Sequence, residues 1–432
     1  MDDNNLKNQM FQISDEYFEQ MESKIPPFVP FISKIPVTGK VLDKYDLRKL
    51  IEASMDLWLT GGRFTNLFEK KLKETTGHNH SLFVNSGSSA NLLAISALKI
   101  LYKLDNDDEV ITCAVNFPTT INPIIQNGLI PVLVDAESQN YNINSEKIEK
   151  AITKKTKGIV LAHTLGNPFN LKVIKEICEK YNLFLFEDMC DAFGSEYDQK
   201  KVGTFGDVAT LSFYPAHHIT TGEGGAVLTS NPKLKKIMES LRDWGRDCYC
   251  EPGVDNTCNK RFDWQLGGLP RGYDHKYTYS HIGYNLKATE MQAAIGISQL
   301  DKLDSFIKKR KDNFNYLYKS FEKFEVFDLP TSYEESNPSW FGFPLTINSK
   351  KIDRTELLKF YDERNIGTRL MFAGNITKQP AYINQNLKVV GETPVADNIL
   401  ENSFWLGVYP GLTKDMLDFV VEQTHEFIKL KI

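Results

Sequence analysis

Two adjacent histidines, His217 and His218, could carry acid–base chemistry in this sequence. They lie in a Pro-marked turn, after the apolar residues 208–214 and before the Gly-Glu-Gly-Gly run at 222–225. Histidine titrates near neutral pH, and glycines let a backbone approach another surface closely. The pattern predicts an active-site turn at the end of a buried strand, although paired loop histidines are more often surface or structural residues.

A second polar group, Asn-Ser-Gly-Ser-Ser at residues 85–89, stands where an apolar strand gives way to a helix. The free N–H groups and the positive dipole end of a helix N-terminus suit a phosphate, and the hydroxyls add donors. The same residues can also form an ordinary helix cap, so the motif alone leaves both interpretations open.

Glu187 and Asp188 end a strand that is otherwise apolar over residues 183–186. A buried carboxylate needs a cationic or hydrogen-bonding partner, because burying it unpaired is costly. A protonated pyridine nitrogen would be one such partner, and a helix cap or a salt bridge would be another.

Four of the six cysteines could act together. Cys190 follows the acidic strand end, and Cys248, Cys250 and Cys258 form a Cys-X-Cys-X7-Cys run. Four converging thiolates suit either tetrahedral zinc or an iron–sulfur cluster, although the tight Cys-X2–4-Cys pairs of structural zinc are absent. The other two cysteines, at positions 113 and 178, fit buried apolar positions.

The composition limits the classes of partner. The chain has 432 residues, of which 41% are hydrophobic and 25% charged, with a formal net charge of −5. There is no basic excess to neutralise nucleic-acid phosphates, and the Lys-Lys-Arg-Lys run at 308–311 predicts a solvated helix face. The sequence lacks an apolar run of 18 residues and begins with acidic and polar residues, so we expect a soluble cytoplasmic protein without disulfides.

Short apolar runs alternate with helical patterns from residue 81 onward, which predicts an α/β fold with a mostly parallel sheet covered by helices on both faces. Ligands bind such sheets beyond the carboxyl ends of the strands, where the candidate residues lie. Strands are predicted at 81–84, 109–113, 130–135, 158–163, 183–188, 208–214 and 226–229.

The chain divides into three predicted parts. Residues 1–40 form an N-terminal arm, 41–305 a large α/β domain that includes an irregular segment at 241–285, and 306–432 a smaller α+β domain. Further helices are expected at 16–24, 43–59, 65–75 with Thr65 as a cap, 92–101, 145–152, 171–181, 288–303, 304–321, 354–364 and 414–430, with a strand at 341–345.

These motifs together resemble the sugar aminotransferase family of fold-type I pyridoxal phosphate enzymes, from about residue 42 to the end. The residues that carry the resemblance are the motifs at 85–88, 187–188 and 212–225, with Gly-Tyr-Asn-Leu-Lys at 283–287 and Gln-Ala-Ala at 292–294. The resemblance implies a seven-stranded, mostly parallel sheet and a homodimer. In this family the turn after the strand carries a lysine that binds the cofactor covalently, and here His217 takes that place.

The resemblance also implies a set of cofactor-binding residues. Gly87, Ser88 and Ser212 would hold the cofactor phosphate, and Asn285 would reach it across a dimer interface.

The pyridine ring would be held by a second set of residues. Phe117 would stack on the ring and Asp188 would pair with its N1–H, keeping the ring an electron sink. Asp191 occupies a position where relatives usually have Gln, His or Glu, and Tyr214 one where many have His.

A histidine in place of the lysine, combined with the four cysteines, resembles one branch of the family: the 3-dehydrases that act on CDP-4-keto-6-deoxyglucose in 3,6-dideoxyhexose and O-antigen lipopolysaccharide biosynthesis. That branch uses pyridoxamine phosphate and a [2Fe–2S] cluster, which Cys190, Cys248, Cys250 and Cys258 would bind. The related GDP-4-keto-6-deoxymannose 3-dehydratases share the histidine but lack these cysteines.

The resemblance implies a mechanism with two electron carriers. His217 would act as base in C3 deoxygenation of a CDP-4-keto-6-deoxyhexose, and an NADH-dependent flavin or iron–sulfur reductase would supply electrons through the cluster. Two alternatives stay open: a sugar-nucleotide aminotransferase whose lysine is displaced, and a non-catalytic relative that binds structural zinc.

Overall fold

The computed structural model describes residues 3–248, 250 and 253–432. Three residues of the irregular segment, 249, 251 and 252, lie outside this range. Among the helices described, none is both long and apolar enough to cross a bilayer.

Within the described residues, the main sheet has eight strands in the order β1-β9-β8-β5-β4-β2-β3-β14. A second sheet has the order β10-β12-β15-β13, and a small third sheet the order β11-β6-β7. The strands are β1 (His80–Val84), β2 (Glu109–Cys113), β3 (Ile130–Val134), β4 (Thr156–Ala162), β5 (Phe184–Asp188), β6 (Glu196–Tyr197), β7 (Lys200–Lys201), β8 (Val208–Ser212), β9 (Gly225–Thr229), β10 (Phe327–Asp328), β11 (Ser336–Asn337), β12 (Gly342–Ile347), β13 (Thr368–Arg369), β14 (Lys388–Val389) and β15 (Ser403–Gly407).

Helices pack against these sheets. They are α1 (Asp3–Glu22), α2 (Lys44–Met55), α3 (Arg63–Thr76), α4 (Gly87–Leu101), α5 (Pro118–Gln126), α6 (Ile148–Ala151), α7 (Leu171–Tyr181), α8 (Pro232–Arg242), α9 (Glu290–Leu300), α10 (Leu303–Phe321), α11 (Arg354–Asp362), α12 (Pro394–Asn402) and α13 (Lys414–Lys431).

The predicted α/β fold is confirmed, and all seven expected strands lie in the main sheet. Strands β3, β2, β4, β5 and β8 run parallel, whereas β9 pairs antiparallel with both β8 and β1. The expected count of seven is one too low, because the two-residue β14, from the C-terminal part of the chain, pairs parallel with β3.

The main sheet is buried on both faces because its side chains alternate between two cores. Phe83 and Ile111 belong to one apolar cluster, whereas their neighbours Leu82 and Val110 belong to the other. A strand that is buried on both faces has no solvent-exposed position for a polar side chain, which explains the continuous apolar runs in the sequence.

The C-terminal part has its own apolar core. Leu317, Phe343, Leu357 and Phe404 bring together α10, α11 and the second sheet. The N-terminal arm joins this region, since Ile35 forms a parallel bridge with Ile366. The proposed domain boundaries at residues 40 and 305 stay predictions.

Helix α3 begins without a cap of its own, because Gly62 has no side chain. The acceptor comes from α9 instead: the buried carboxylate of Glu290 accepts the N–H groups of Gly62 (2.8 Å), Phe64 (2.7 Å) and Thr65 (2.8 Å). The predicted capping role of Thr65 is therefore wrong, since this residue lies inside the helix and its hydroxyl donates to Glu290. A carboxylate at the N-terminus of a helix also interacts favourably with the helix dipole.

Replacing Glu290 with Ala should lower the free energy of unfolding by about 2–3 kcal/mol, because three N–H groups and one hydroxyl lose their acceptor. Chemical denaturation followed by circular dichroism measures the change. Glu74→Ala, at an exposed position of the same α3 helix, is the matched control and should change stability by less than about 0.5 kcal/mol. Equal stability of the two variants would contradict the assigned capping role.

Candidate active site

A cavity of about 650 Å³ lies at the carboxyl ends of β4, β5 and β8. The N-terminus of α4 contributes Gly87 and Ser88, and the C-terminal part of the chain contributes Phe341, Arg369 and Trp405. The cavity therefore lies where the parallel sheet predicts a ligand site, and residues of the C-terminal part close it from the other side.

The N-terminus of α4 forms a tight cradle. Ser86 caps the helix by accepting the N–H of Ser89 at 3.0 Å, and within the described residues the N–H groups of Gly87 and Ser88 have no hydrogen-bond acceptor. A Cβ atom on Gly87 would lie 2.5 Å from Cβ of Ser212. Both earlier interpretations of this motif therefore apply: Ser86 is a helix cap, and the remaining donors suit an anion such as a phosphate.

Asp188 is held rigidly beside this cradle. Its Oδ2 atom accepts hydrogen bonds from Asn91 (2.8 Å) and Thr120 (2.7 Å), and its Oδ1 accepts the N–H of Cys190 (3.2 Å). A carboxylate fixed in this way and facing the cavity can accept one further donor, such as a ring N–H. The donor set around the cavity therefore fits a phosphorylated pyridine cofactor.

Glu187 has a different role from its neighbour. It is fully buried and accepts the N–H groups of Gly203 (2.7 Å), Phe205 (2.9 Å) and Gly206 (2.7 Å). The fourth contact is His163, whose Nε2 lies 3.2 Å from the carboxylate. Sequence reasoning missed His163, a cavity-lining residue, because nothing in its sequence neighbourhood marks it.

The imidazole of His217 lines the cavity, and its Nδ1 lies 3.3 Å from Oδ1 of Asp191. Burial raises the pKa of Asp191, and the nearby imidazole of His217 opposes that rise. The Phe341 ring packs against the imidazole with a centroid separation of 5.1 Å. An imidazole that lies beside a carboxylate and faces a cavity can accept or donate a proton there.

His218 points away from the cavity. It is buried, and its Nε2 lies 3.0 Å from the carbonyl oxygen of Ser339. Burial, reinforced by the nearby Arg310, holds the pKa of His218 well below its usual value. The prediction that His218 is a structural neighbour agrees with this position.

The remaining predicted residues are only partly brought together. Phe117 is half-exposed and lines the cavity, as do Tyr214 and Arg369. Asn285 lies outside the cavity, where it forms a bridge with Asp243 and accepts from Lys287 (2.9 Å). Its predicted contact would require a second copy of the chain.

The four cysteines are not gathered. Cys190 lines the cavity, and burial together with Asp188 raises the pKa of its thiol well above the usual value. The backbone N–H of Cys250 lies 3.4 Å from the sulfur of Cys248. The sulfur of Cys258 lies 3.4 Å from Nε2 of His275 instead. Among the described residues, no three metal-ligating side chains of the His, Cys, Asp and Glu types are grouped. This arrangement does not fit the expected convergence.

Two cavity-lining residues have left-handed backbone conformations that side chains rarely adopt. Leu165 has φ of 49° and Phe372 has φ of 46°. Such strain costs of the order of 1–3 kcal/mol per residue and clusters at functional sites. Its presence on both sides of this cavity supports a functional role for the cavity.

Comparison with known proteins shows which family the chain matches. The profile of the DegT/DnrJ/EryC1/StrS aminotransferase family matches residues 41–425. The lipopolysaccharide biosynthesis protein RfbH of Salmonella typhimurium is 55% identical over 433 residues, which cover 99% of this chain and 99% of that protein.

Two further relatives carry more specific names. The dTDP-4-dehydro-2,6-dideoxy-D-glucose 3-dehydratase of Saccharopolyspora spinosa is 50% identical and covers 96% of this chain and 90% of its own length. The solved structure of the E. coli GDP-4-keto-6-deoxy-D-mannose-3-dehydratase with bound hydrated PLP is 29% identical, with a TM-score of 0.82 over 91% of this chain and 99% of that chain.

Replacing Gly87 with Ala should weaken the binding of pyridoxamine phosphate by about tenfold or more, because the new methyl group overlaps Ser212 and displaces the start of α4. Fluorescence titration of the purified protein measures the affinity. Gly61→Ala is the matched control, since a Cβ there would have only ordinary contacts with Thr65 at 3.7 Å. Unchanged affinity in Gly87→Ala would rule out the cradle as the phosphate site.

Proposed function

Because the chain belongs to the DegT/DnrJ/EryC1/StrS aminotransferase family, we propose that it is a sugar-nucleotide 3-dehydratase that uses pyridoxamine phosphate. One observation carries this proposal: the turn after β8 presents the His217 imidazole to the cavity, and no lysine is among the described residues that line it. A transaminase needs a lysine to hold the cofactor and to move protons. An imidazole can do only the second of these.

The residues of the cavity have assigned roles in this proposal. Gly87, Ser88 and Ser212 would hold the cofactor phosphate, Asp188 would accept a hydrogen bond from the ring N1–H, and Phe117 would stack on the ring. When bound, pyridoxamine phosphate supplies an amine that can condense with the C4 ketone of the sugar, and a ring that accepts electrons.

His217 moves the proton in the reaction. Its imidazole would take a proton from the C4′ carbon of the cofactor. The Asp191 carboxylate, whose Oδ1 lies 3.3 Å from Nδ1 of His217, would balance the positive charge that the imidazole gains. The C3 hydroxyl of the sugar would then leave as water, with the proton that His217 took from C4′. This chain's residues would therefore bind, orient and transfer a proton.

The substrate class comes from the relatives. One relative is named for a dTDP-linked substrate and another for a GDP-linked one. We propose a CDP-linked 4-keto-6-deoxyhexose here, in the formation of 3,6-dideoxyhexoses for O-antigen lipopolysaccharide; the lipopolysaccharide name of the Salmonella relative supports this pathway. Competition binding with CDP, dTDP and GDP tests the nucleotide.

The proposal also includes a [2Fe–2S] cluster, an NADH-dependent reductase and a homodimer. Three thiols of one segment and Cys190 at the cavity wall support the cluster, although the four sulfur atoms are apart in this arrangement. Iron binding would have to draw Cys258 and the Cys248–Cys250 pair towards Cys190. Sedimentation of the full chain tests the dimer.

Replacing His217 with Asn should reduce hydrogen exchange at C4′ of bound pyridoxamine phosphate by about a hundredfold or more, while the cofactor stays bound. NMR of the cofactor after incubation in D2O measures the exchange. His425→Asn, at an exposed position of α13, is the control and should exchange normally. Unchanged exchange in His217→Asn, or a lysine–cofactor adduct after borohydride reduction, would favour the aminotransferase alternative.

Anaerobically purified protein should be brown and contain about two irons and two sulfides per chain. Iron, zinc and sulfide analysis measures this, and Cys190→Ser should lose the iron while keeping the affinity for pyridoxamine phosphate. A colourless protein loaded with zinc would contradict the cluster and favour the non-catalytic alternative.

A further inference from the structure

Arg310 is a fully buried cation in a helix that otherwise exposes its charges. The run at 308–311 was expected to be a solvated face, and Lys308 is indeed exposed, but Arg310 is 0% exposed. It lies on the buried side of α10 with Phe306 and Phe314, at helical spacing of about one turn. The expectation of a solvated Arg310 is therefore wrong, because composition cannot tell which residue of a basic run faces inward.

The guanidinium has no carboxylate partner. Among the described residues Arg310 forms no salt bridge, and its buried Nε has no hydrogen-bond acceptor. Burial lowers the pKa of this guanidinium to about 10, and the more distant Asp191 opposes that change. A buried cation without an ion-pair partner is costly, so a residue needed only for packing would be better replaced by a hydrophobic one.

Instead of a carboxylate, the guanidinium binds backbone carbonyls at the proposed base. Its Nη2 donates to the carbonyl oxygens of His217 (3.1 Å) and Ala216 (3.4 Å). These two carbonyls belong to the peptide groups on either side of the Cα atom of His217. Fixing both peptide groups fixes the direction in which the His217 side chain leaves the backbone.

The same guanidinium holds the residue that packs against the imidazole. Its Nη1 donates to the carbonyl oxygen of Phe341 at 3.2 Å, and the Phe341 ring contacts His217. One rigid, planar group therefore ties α10, the catalytic turn and the strand region of the C-terminal part to each other. A lysine could not reproduce this, because it carries a single nitrogen.

We propose that Arg310 is a positioning residue that aims the His217 imidazole at the cofactor carbon from which it takes a proton. The proposal rests on the function proposed above, in which His217 is the base. Proton transfer depends steeply on the placement of the base, and an error of about 1 Å can cost about a hundredfold in rate. Arg310 therefore acts on the rate of proton transfer, with little effect on binding of the cofactor or the sugar.

Two variants of Arg310 test this proposal in the full chain with pyridoxamine phosphate added. Arg310→Met keeps the length of the side chain without donors, and C4′ exchange should fall by about tenfold to a hundredfold while cofactor affinity changes by less than about threefold. The C4′ exchange rate should fall less in Arg310→Lys than in Arg310→Met, because lysine retains one donor nitrogen and the positive charge. Equal exchange rates in the wild type and both variants would overturn the proposal.

A control separates positioning from simple stabilisation. Arg354 also donates to backbone carbonyls, those of Leu400 and Ser403, but lies outside the cavity. Arg354→Met should lower the thermal midpoint without changing the exchange rate of the folded protein. If Arg354→Met slows exchange as much as Arg310→Met does, the effect is general and the proposal is wrong.

A second readout needs no catalysis. In protein labelled with ¹³C-histidine, the ring signal of His217 is identified by its absence in His217→Asn. This signal should be single in the wild type and in Arg354→Met, and split or broadened in Arg310→Met. A single, unshifted signal in Arg310→Met would refute the proposal. If His217→Asn leaves exchange unchanged, the proposed function fails, and the ring signal still decides whether Arg310 positions His217.

Discussion

The burial of two adjacent carboxylates at the end of β5 is the constraint on which the cavity depends. Successive residues of a strand face opposite sides, so Glu187 and Asp188 take different partners. Glu187 is satisfied by three backbone N–H groups of the turn before β8, which locks the two strand ends together. Asp188 is satisfied by side chains of α4 and α5, which sets the helix N-terminus against the cavity. Hydrogen bonds within the chain thus hold both carboxylates in place.

The second constraint is the turn at residues 215–218, where one histidine faces the cavity and the next is buried. Their environments differ although their sequence neighbourhoods are the same. His217 lies beside the carboxylate of Asp191 at the cavity, whereas burial and a nearby cation lower the pKa of His218. In the proposed function, the imidazole of His217 supplies base chemistry where the family resemblance implies a lysine, without a covalent bond to the cofactor.

Seven of the eight described strands of the main sheet could be predicted, because full burial on both faces produces a continuous apolar run. The two-residue β14 could not, because both of its residues are exposed. Helices α5, α8 and α12 were not predicted, because each begins at a proline. Proline is favourable in the first turn of a helix, but in a sequence it usually indicates a turn or the end of an element. Most candidate residues of the cavity could be found from local motifs. Glu290 and Arg310 could not, because their partners lie about 225 and 93 residues away in sequence. Sequence spacing also cannot show whether the four cysteines converge.

The two-residue strand β14 covers one edge of the main sheet by pairing with β3. Strand β3 would otherwise be an open edge of the main sheet, with apolar side chains and unpaired backbone groups. Edges of that kind template association with other chains. The C-terminal part of the chain therefore covers this edge of the main sheet in addition to closing the cavity.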